Sequence, residues 1–245
     1  MKPKVAFFDF AGCEGDQLQV VNLEEQLLDL LEQVEVVSFR EAMKEHSDRY
    51  DIAFVEGSIT RESDEARLRE IRKNAKLLVA IGACAAIGGI NAMKNCHDLD
   101  EVKRYVYGTD AVRFDTYETR PVSAVVTVDA CVYGCPIDRE EFLQVVKGLL
   151  LGKKPEIPNH PVCVECKAAE NVCVFEKGLF CMGPVTRAGC NACCVTQGSI
   201  CRGCRGFVDD PNTDSQKEIL EKYGLNLRDV LNKFRLYTAC SEVAQ

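Results

Sequence analysis

The crowding of cysteine into one stretch is the feature that most constrains how this chain folds. Nine of its fifteen cysteines fall between Cys163 and Cys204, where no apolar periodicity is sustained. A segment with so few large apolar side chains needs bound metal to fold. In a reducing compartment, thiols at this density indicate metal ligands rather than disulfide bonds. The sequence therefore predicts a small, irregular, Cys-rich domain that metal holds together.

The overall balance of residues excludes several other classes of protein. Asp and Glu number 38 against 30 Lys and Arg, so a broad basic surface for nucleic acid or anionic lipid is not expected. No run of 18 apolar residues is present, and the first residues lack the pattern of a signal peptide. We therefore expect a cytoplasmic protein that binds neither nucleic acid nor membrane.

The first 150 residues alternate short apolar runs with longer segments of helical period. Apolar runs that are separated by helices predict a parallel sheet buried on both faces, built from right-handed βαβ units. The fold class expected here is α/β, a flavodoxin-like doubly wound parallel sheet. The predicted strands are residues 5–10, 34–39, 52–55, 77–81 and 124–128, and the predicted helices are residues 17–33, 62–76 and 139–151.

A Pro- and Lys-containing linker at residues 152–158 marks the expected domain boundary. We expect a flavodoxin-like domain over residues 1–152 and a Cys-rich domain over residues 153–245. Helical patterning returns at residues 216–234, with Gly224 as the expected break, so the second domain should end in helix.

The scattered N-terminal cysteines follow predicted strands. Cys13 follows the first strand, Cys84 the fourth, and Cys131 and Cys135 the fifth. Loops at the carboxyl ends of parallel strands converge on one edge of the sheet, so these thiols should meet. A 4Fe-4S cube needs one ligand for each iron. From the residues alone the fourth ligand is either Asp16 or Cys131; the alternatives are a helix N-cap for Asp16 and a buried apolar role for Cys131.

The C-terminal cysteines are spaced for two further four-ligand sites with one thiol left over. Pairs of the form Cys-x2-Cys also occur in zinc ribbons, so thiolate spacing alone leaves zinc as an alternative. The series runs Cys163-x2-Cys166-x6-Cys173-x7-Cys181 and Cys190-x2-Cys193-Cys194-x6-Cys201-x2-Cys204.

Taken together, the motifs resemble the small subunit of nickel-iron hydrogenases over nearly the whole chain. Most members of that family have Cys where this chain has Asp16, and an aspartate there resembles the cytosolic, NADP-linked sulfhydrogenase type. The motifs are Cys13-x2-Asp16, Glu56-Gly57-Ser58, Gly82-Ala83-Cys84 with Gly88-Gly89, Gly134-Cys135-Pro136, Cys181-Met182-Gly183-Pro184 and Cys201-Arg202-Gly203-Cys204.

The resemblance implies three 4Fe-4S clusters and assigns their ligands. His160 is an alternative ligand at the distal cluster, and Cys193 is an alternative to Cys194 at the medial one. The resemblance implies Cys13, Asp16, Cys84 and Cys135 for a proximal cluster, Cys163, Cys166, Cys173 and Cys181 for a distal cluster, and Cys190, Cys194, Cys201 and Cys204 for a medial cluster.

The resemblance further implies that hydrogen reacts at a nickel-iron centre in a separate large subunit while this chain conducts electrons. The expected partners are that large subunit and diaphorase-type flavin and iron-sulfur subunits, with NAD(P) or sulfur as the acceptor. No catalytic acid, nucleophile or nicotinamide fingerprint is expected in this chain. Glu56 either serves the subunit interface or proton transfer, or is satisfied by loop amides. A subunit of a complex I-like or membrane-bound hydrogenase, and a zinc-stabilised binding scaffold, are the alternative functions.

Overall fold

A parallel β-sheet forms the centre of the N-terminal half. The computed structural model describes residues 2–241, and within them five strands pair in the order β2-β1-β3-β4-β5, all parallel. This order confirms the predicted flavodoxin-like class, because the chain crosses over as it passes from β2 to β3. The strands are β1 (Lys4–Asp9), β2 (Glu35–Ser38), β3 (Ile52–Glu56), β4 (Leu77–Ile81) and β5 (Ala130–Val132).

Helices cover both faces of this sheet. The apolar side chains of α1 and α6 pack on one face, and those of α3 and α4 pack on the other. Strand β3 is buried along its whole length, which explains why its sequence is apolar without alternation. The helices of this half are α1 (Gly15–Val21), α2 (Glu25–Gln33), α3 (Glu62–Asn74), α4 (Gly82–Ile87), α5 (Leu99–Tyr107) and α6 (Arg139–Leu150).

The helix predicted over residues 17–33 is two helices. Helix α1 ends at Val21 and α2 begins at Glu25, with Glu24 at a φ of 56° between them. Leu23 is 3% exposed in this turn, so the chain bends where an apolar side chain enters the core. The apolar spacing on both sides of the turn is helical, which is why the pattern alone did not reveal the break.

The fifth strand lies later in the chain than predicted. Residues 124–128 do not pair with β4; instead Ala130–Val132 does so, and Cys131 therefore lies within the strand. The Asp129 carboxylate accepts the Leu78 N–H at 2.7 Å and pairs with Arg72 at 2.6 Å, which anchors the chain just before the strand begins. A three-residue strand is too short to show an apolar pattern.

The C-terminal half contains short helices joined by irregular backbone. One apolar cluster there contains Cys181 and Cys201 beside small side chains, and another joins Met182 to α9 and α10. No helix within residues 2–241 has both the length and the apolar character needed to cross a membrane. The helices of this half are α7 (Val162–Ala168), α8 (Cys193–Thr196), α9 (Thr213–Lys222) and α10 (Leu227–Thr238).

Candidate iron-sulfur sites

The first candidate site lies at the carboxyl ends of β1, β4 and β5. Cys13 and Cys135 stand on the loops that follow β1 and β5, and Cys84 lies in the first turn of α4, which follows β4 directly. Burial, followed by the charges of the neighbouring Cys135, Asp16 and Cys13, raises the pKa of the Cys84 thiol to about 12. The three thiols and the Asp16 carboxyl are therefore electrostatic neighbours, as the convergence of parallel strands predicts.

Asp16 is inserted between the loops of this site. Its side chain is 6% exposed, and its Oδ1 accepts the Ile137 N–H at 2.8 Å. A Cβ added at Gly82, where φ is +83°, would collide with the Asp16 carboxylate. Burial, followed by the charge of Glu56, raises the pKa of Asp16 to about 7. Asp16 does not cap α1; its carboxyl group instead lies among the thiols of this site, against the Ile137 amide and Gly82.

Glu56, and not Asp16, caps the N-terminus of α1. At the end of β3, its carboxylate accepts the backbone N–H of Asp16 at 3.2 Å and that of Gln17 at 2.9 Å. The side chain is 2% exposed, and burial raises its pKa. Glu56 thus satisfies the free amides of the first turn of α1 and fixes the position of Asp16.

Cys131 is not brought to the first site. The groups that act on its thiol are the Tyr133 hydroxyl and Arg187, both of which lower its pKa. Burial raises its pKa, with no contribution from Cys13, Cys84 or Cys135. Its surroundings are those of a strand residue that packs against the core.

The second candidate site is a cavity of about 430 Å³ that cysteines line. Cys193 and Cys194 are both exposed and both line this cavity, so both stay candidate ligands. A site with many thiolate ligands suits iron-sulfur clusters or zinc, and the space between these thiols can take a bulky group. The cysteines that line the cavity are Cys190, Cys193, Cys194, Cys201 and Cys204, together with Cys135 of the first site.

The third candidate site lies around α7. Burial, followed by the charges of Cys181, Cys166 and Cys173, raises the pKa of the Cys163 thiol to about 11. Cys163 and Cys166 are both on α7, while Cys173 and Cys181 lie on the segment that follows.

Two further positions bear on the third site. A Cβ at Gly183 would stand 3.3 Å from the Cys181 Sγ and 3.5 Å from the Cys163 Sγ, so glycine keeps this space open. His160 is exposed, and its Nδ1 lies 3.4 Å from the carbonyl oxygen of Pro161, next to it in the chain. The ring therefore faces its own backbone.

The three sites adjoin one another in a row. Cys135 of the first site and Cys204 of the second interact electrostatically, and the Cys135 amide favours the Cys204 thiolate. Cys201 of the second site and Cys181 of the third are likewise neighbours, and the Met182 N–H donates to the Cys201 carbonyl at 3.0 Å. The second site therefore stands between the other two.

Three residues that the sequence did not single out surround the second site. Arg205 is 1% exposed and forms a bidentate ion pair with Glu141 of α6 at 2.6 and 2.8 Å. Glu165 accepts the N–H of Gly189 at 2.7 Å, and its Oε2 lies 4.0 Å from the Cys190 Sγ. Tyr237 of α10 lines the same cavity. The only sequence signal was that Arg205 and Glu165 each stand beside a cysteine.

Within residues 2–241, no three His, Cys, Asp or Glu side chains are arranged to hold a single metal ion. The thiols of the second site line a cavity, and glycines at the first and third sites leave room beside the sulfurs. Thiols beside such space fit a multi-atom cluster bound through sulfur.

Comparisons with known proteins give the chain its family. Residues 13–149 match the family of the NADH ubiquinone oxidoreductase 20 Kd subunit. Sulfhydrogenase 2 subunit delta of Pyrococcus furiosus is 35% identical over 236 residues, which cover 96% of this chain and 98% of that protein. A subunit of the F420-non-reducing hydrogenase vhu of Methanocaldococcus jannaschii is 33% identical over 238 residues, covering 84% and 82% of the two chains.

A solved structure is also similar. A chain of an NAD+-reducing NiFe-hydrogenase in the H2-reduced state superposes with a TM-score of 0.59 at 28% identity, covering 64% of this chain and 96% of that one. The matched family spans more than half of this chain, and the relatives are hydrogenase subunits. The chain therefore belongs to the NADH ubiquinone oxidoreductase 20 Kd subunit family and is a hydrogenase subunit within it.

Proposed function

We propose that this chain is the electron-relay subunit of a nickel-iron hydrogenase and that it holds three 4Fe-4S clusters in a row. The observation that carries the proposal is the adjacency of successive sites. Cys135 and Cys204 line the same cavity, and a Cβ at Gly183 would stand 3.3 Å from the Cys181 Sγ and 3.8 Å from the Cys201 Cβ. When bound, such clusters pass single electrons. The chain's own residues fix where the clusters sit and what charges surround them.

The proposed ligands are those that the resemblance implies. At the first site we propose Cys13, Asp16, Cys84 and Cys135, leaving Cys131 as a core residue. At the other two sites we propose all-thiolate sets, with His160 unbound and Cys194 preferred to Cys193. The remaining proposed ligands are Cys163, Cys166, Cys173, Cys181, Cys190, Cys201 and Cys204.

The exposure of two cysteines of the first site supports a direction for the electron flow. Cys13 and Cys135 are exposed at the edge of the sheet, so a partner can cover the first site. We propose that this partner is the large subunit with the nickel-iron centre. Electrons then pass through the second site to the third, where diaphorase-type flavin and iron-sulfur subunits of the complex receive them.

The acceptor proposed for the whole complex is NAD(P) or sulfur, in the cytoplasm. Support comes from the names of the relatives, one a sulfhydrogenase subunit and another a chain of an NAD+-reducing hydrogenase. The F420-non-reducing relatives leave room for a different acceptor.

We also propose two domains, residues 1–152 and 153–245, because α6 ends at Leu150 and residues 151–159 form no helix or strand.

The test of the proposed function is the iron and acid-labile sulfide content of the anaerobically purified chain, together with its copurifying partners. Three cubes correspond to about 12 atoms each of iron and sulfide per chain. A nickel-containing subunit should copurify. A colourless protein with stoichiometric zinc would refute the proposal in favour of a structural metal scaffold.

Replacing Asp16 by cysteine is expected to keep the first cluster while changing its electron paramagnetic resonance (EPR) spectrum and midpoint potential. A thiolate is a softer ligand than a carboxylate, so the electron density on the bound iron changes. The comparison variant is Glu56→Gln, which removes the neighbouring buried charge and keeps a side-chain oxygen that can accept the Asp16 amide, so it measures the shift that a change of charge produces without a change of ligand atom. An unchanged spectrum in D16C would remove Asp16 from the ligand set.

A further inference from the structure

Tyr237 occupies the junction between the first and second sites. It lies near the end of α10, whose Val230 and Phe234 are buried against Met182 of the Cys-rich segment. That packing directs the last turn of α10 toward the cavity of the second site, which Tyr237 lines together with Cys135 and Cys204. A tyrosine of the C-terminal helix thus meets a thiol from each of two sites.

The Tyr237 side chain lines the cavity together with Cys135, and the ionisable groups that act on its hydroxyl are Cys135, Cys204 and Arg202. A phenol hydroxyl carries its proton at neutral pH and a thiolate sulfur carries none, so between these two groups the hydroxyl is the donor. An O–H directed at a thiolate sulfur favours the more negative state of whatever that sulfur binds. At an iron-sulfur cluster the more negative state is the reduced one, so such a bond raises the midpoint potential.

We propose that Tyr237 is a positioning residue that donates a hydrogen bond to the Cys135 sulfur and raises the midpoint potential of the first cluster relative to the second. This proposal rests on the proposed function, because it requires a cluster bound through Cys135. It assigns to the C-terminal helix a part in setting the energy difference between the first two steps of the relay.

The chain provides a matched comparison two residues from Cys135. The Tyr133 hydroxyl lies near the Cys131 thiol and lowers its pKa, so this is a tyrosine and cysteine of the same chemistry on the same segment. Cys131 lies in β5 and is not a proposed ligand. Removing the Tyr133 hydroxyl therefore removes a hydroxyl group from beside a cysteine without touching a proposed cluster ligand.

The experiment compares Tyr237→Phe with Tyr133→Phe in the purified complex by EPR-monitored redox titration. In Y237F the ratio of reduced to oxidised first cluster at a fixed potential is expected to be about tenfold lower. For one electron this corresponds to a midpoint potential about 59 mV lower. The potential of the second cluster and the iron content should stay as in the wild type. Y133F should leave every midpoint unchanged.

The outcomes separate this proposal from the one on which it rests. If the wild-type complex lacks the first cluster, both the role of Tyr237 and the proposed function are wrong. A normal wild-type cluster with an unshifted midpoint in Y237F, or an equal shift in Y133F, removes the role of Tyr237 alone. If Y237F does not accumulate, Tyr237→His, which keeps a ring N–H donor, is titrated instead. Its first-cluster midpoint should stay close to the wild type, and a fall of the size expected for Y237F overturns the proposal.

Discussion

Replacing Arg205 by methionine is expected to lower the free energy of unfolding by about 3–5 kcal/mol, the usual cost of breaking a buried ion pair from one side. Arg205 is the most deeply placed charge at the contact between α6 and the Cys-rich segment, with 1% of its surface exposed. Its loss leaves the Glu141 carboxylate buried without its partner. Because burial already raises the pKa of Glu141, the unpaired carboxyl group should take up a proton.

The guanidinium group also supports the backbone on both sides of this contact. Its Nε donates to the Ala188 carbonyl at 2.8 Å, and its Nη1 donates to the carbonyl of Tyr133, on the loop that leads to Cys135. A Cβ at Gly189 would collide with the Arg205 side chain, so the segment closes tightly over it. R205M should therefore loosen the second site, and we expect the iron content of that cluster to fall in the same variant.

Two variants control for this prediction in urea unfolding of the cluster-loaded protein. Arg113→Met breaks an exposed pair with Asp110, which should cost no more than about 1 kcal/mol. The double variant Arg205→Met, Glu141→Leu removes both charges and should recover part of the lost stability, since no unpaired charge stays buried. If R205M unfolds at the same urea concentration as R113M, the pair does not hold the two halves together.

The apolar strands were predictable because burial on both faces leaves a continuous signal. Residues 52–55 and 77–81 are recognisable as strands, and the structure places β3 and β4 there. The fifth strand was placed wrongly because Val125, Val126 and Val128 pack against the core from a loop, outside the ladder. Periodicity reports burial, and burial does not require a strand.

The convergence of Cys13, Cys84 and Cys135 was predictable for a topological reason, since the segments that carry them leave the same edge of a parallel sheet. The groups that surround the cysteines were not. Arg205 and Glu141 are 64 residues apart, and nothing local in the sequence links them. Tyr237 reaches its cavity only through the packing of α10, which follows from the tertiary fold.

Removing iron is expected to unfold residues 162–206 while the parallel sheet stays folded. The apolar cluster of this segment is built from few and small side chains, and two of its buried members are cysteines. Binding of metal to thiolates is itself the main source of folding free energy in such segments, on the order of 10 kcal/mol for structural zinc in small peptides. Strands β3 and β4 instead bury large apolar side chains on both faces, independently of metal.

Hydrogen exchange of the holo and chelator-treated chains separates these two behaviours. Amides in residues 162–206 should exchange at least about a hundredfold faster after iron removal, a loss of about 2.8 kcal/mol of local protection at 1.4 kcal/mol for each factor of ten. Amides of β3 and β4 serve as the internal control and should keep their protection. Equal protection of residues 162–206 in both forms would mean that their side chains suffice to fold the segment. The clusters would then bind to a scaffold that is already folded. Loss of protection in β3 and β4 as well would mean that the two halves unfold as one unit, contrary to the proposed division at residue 152.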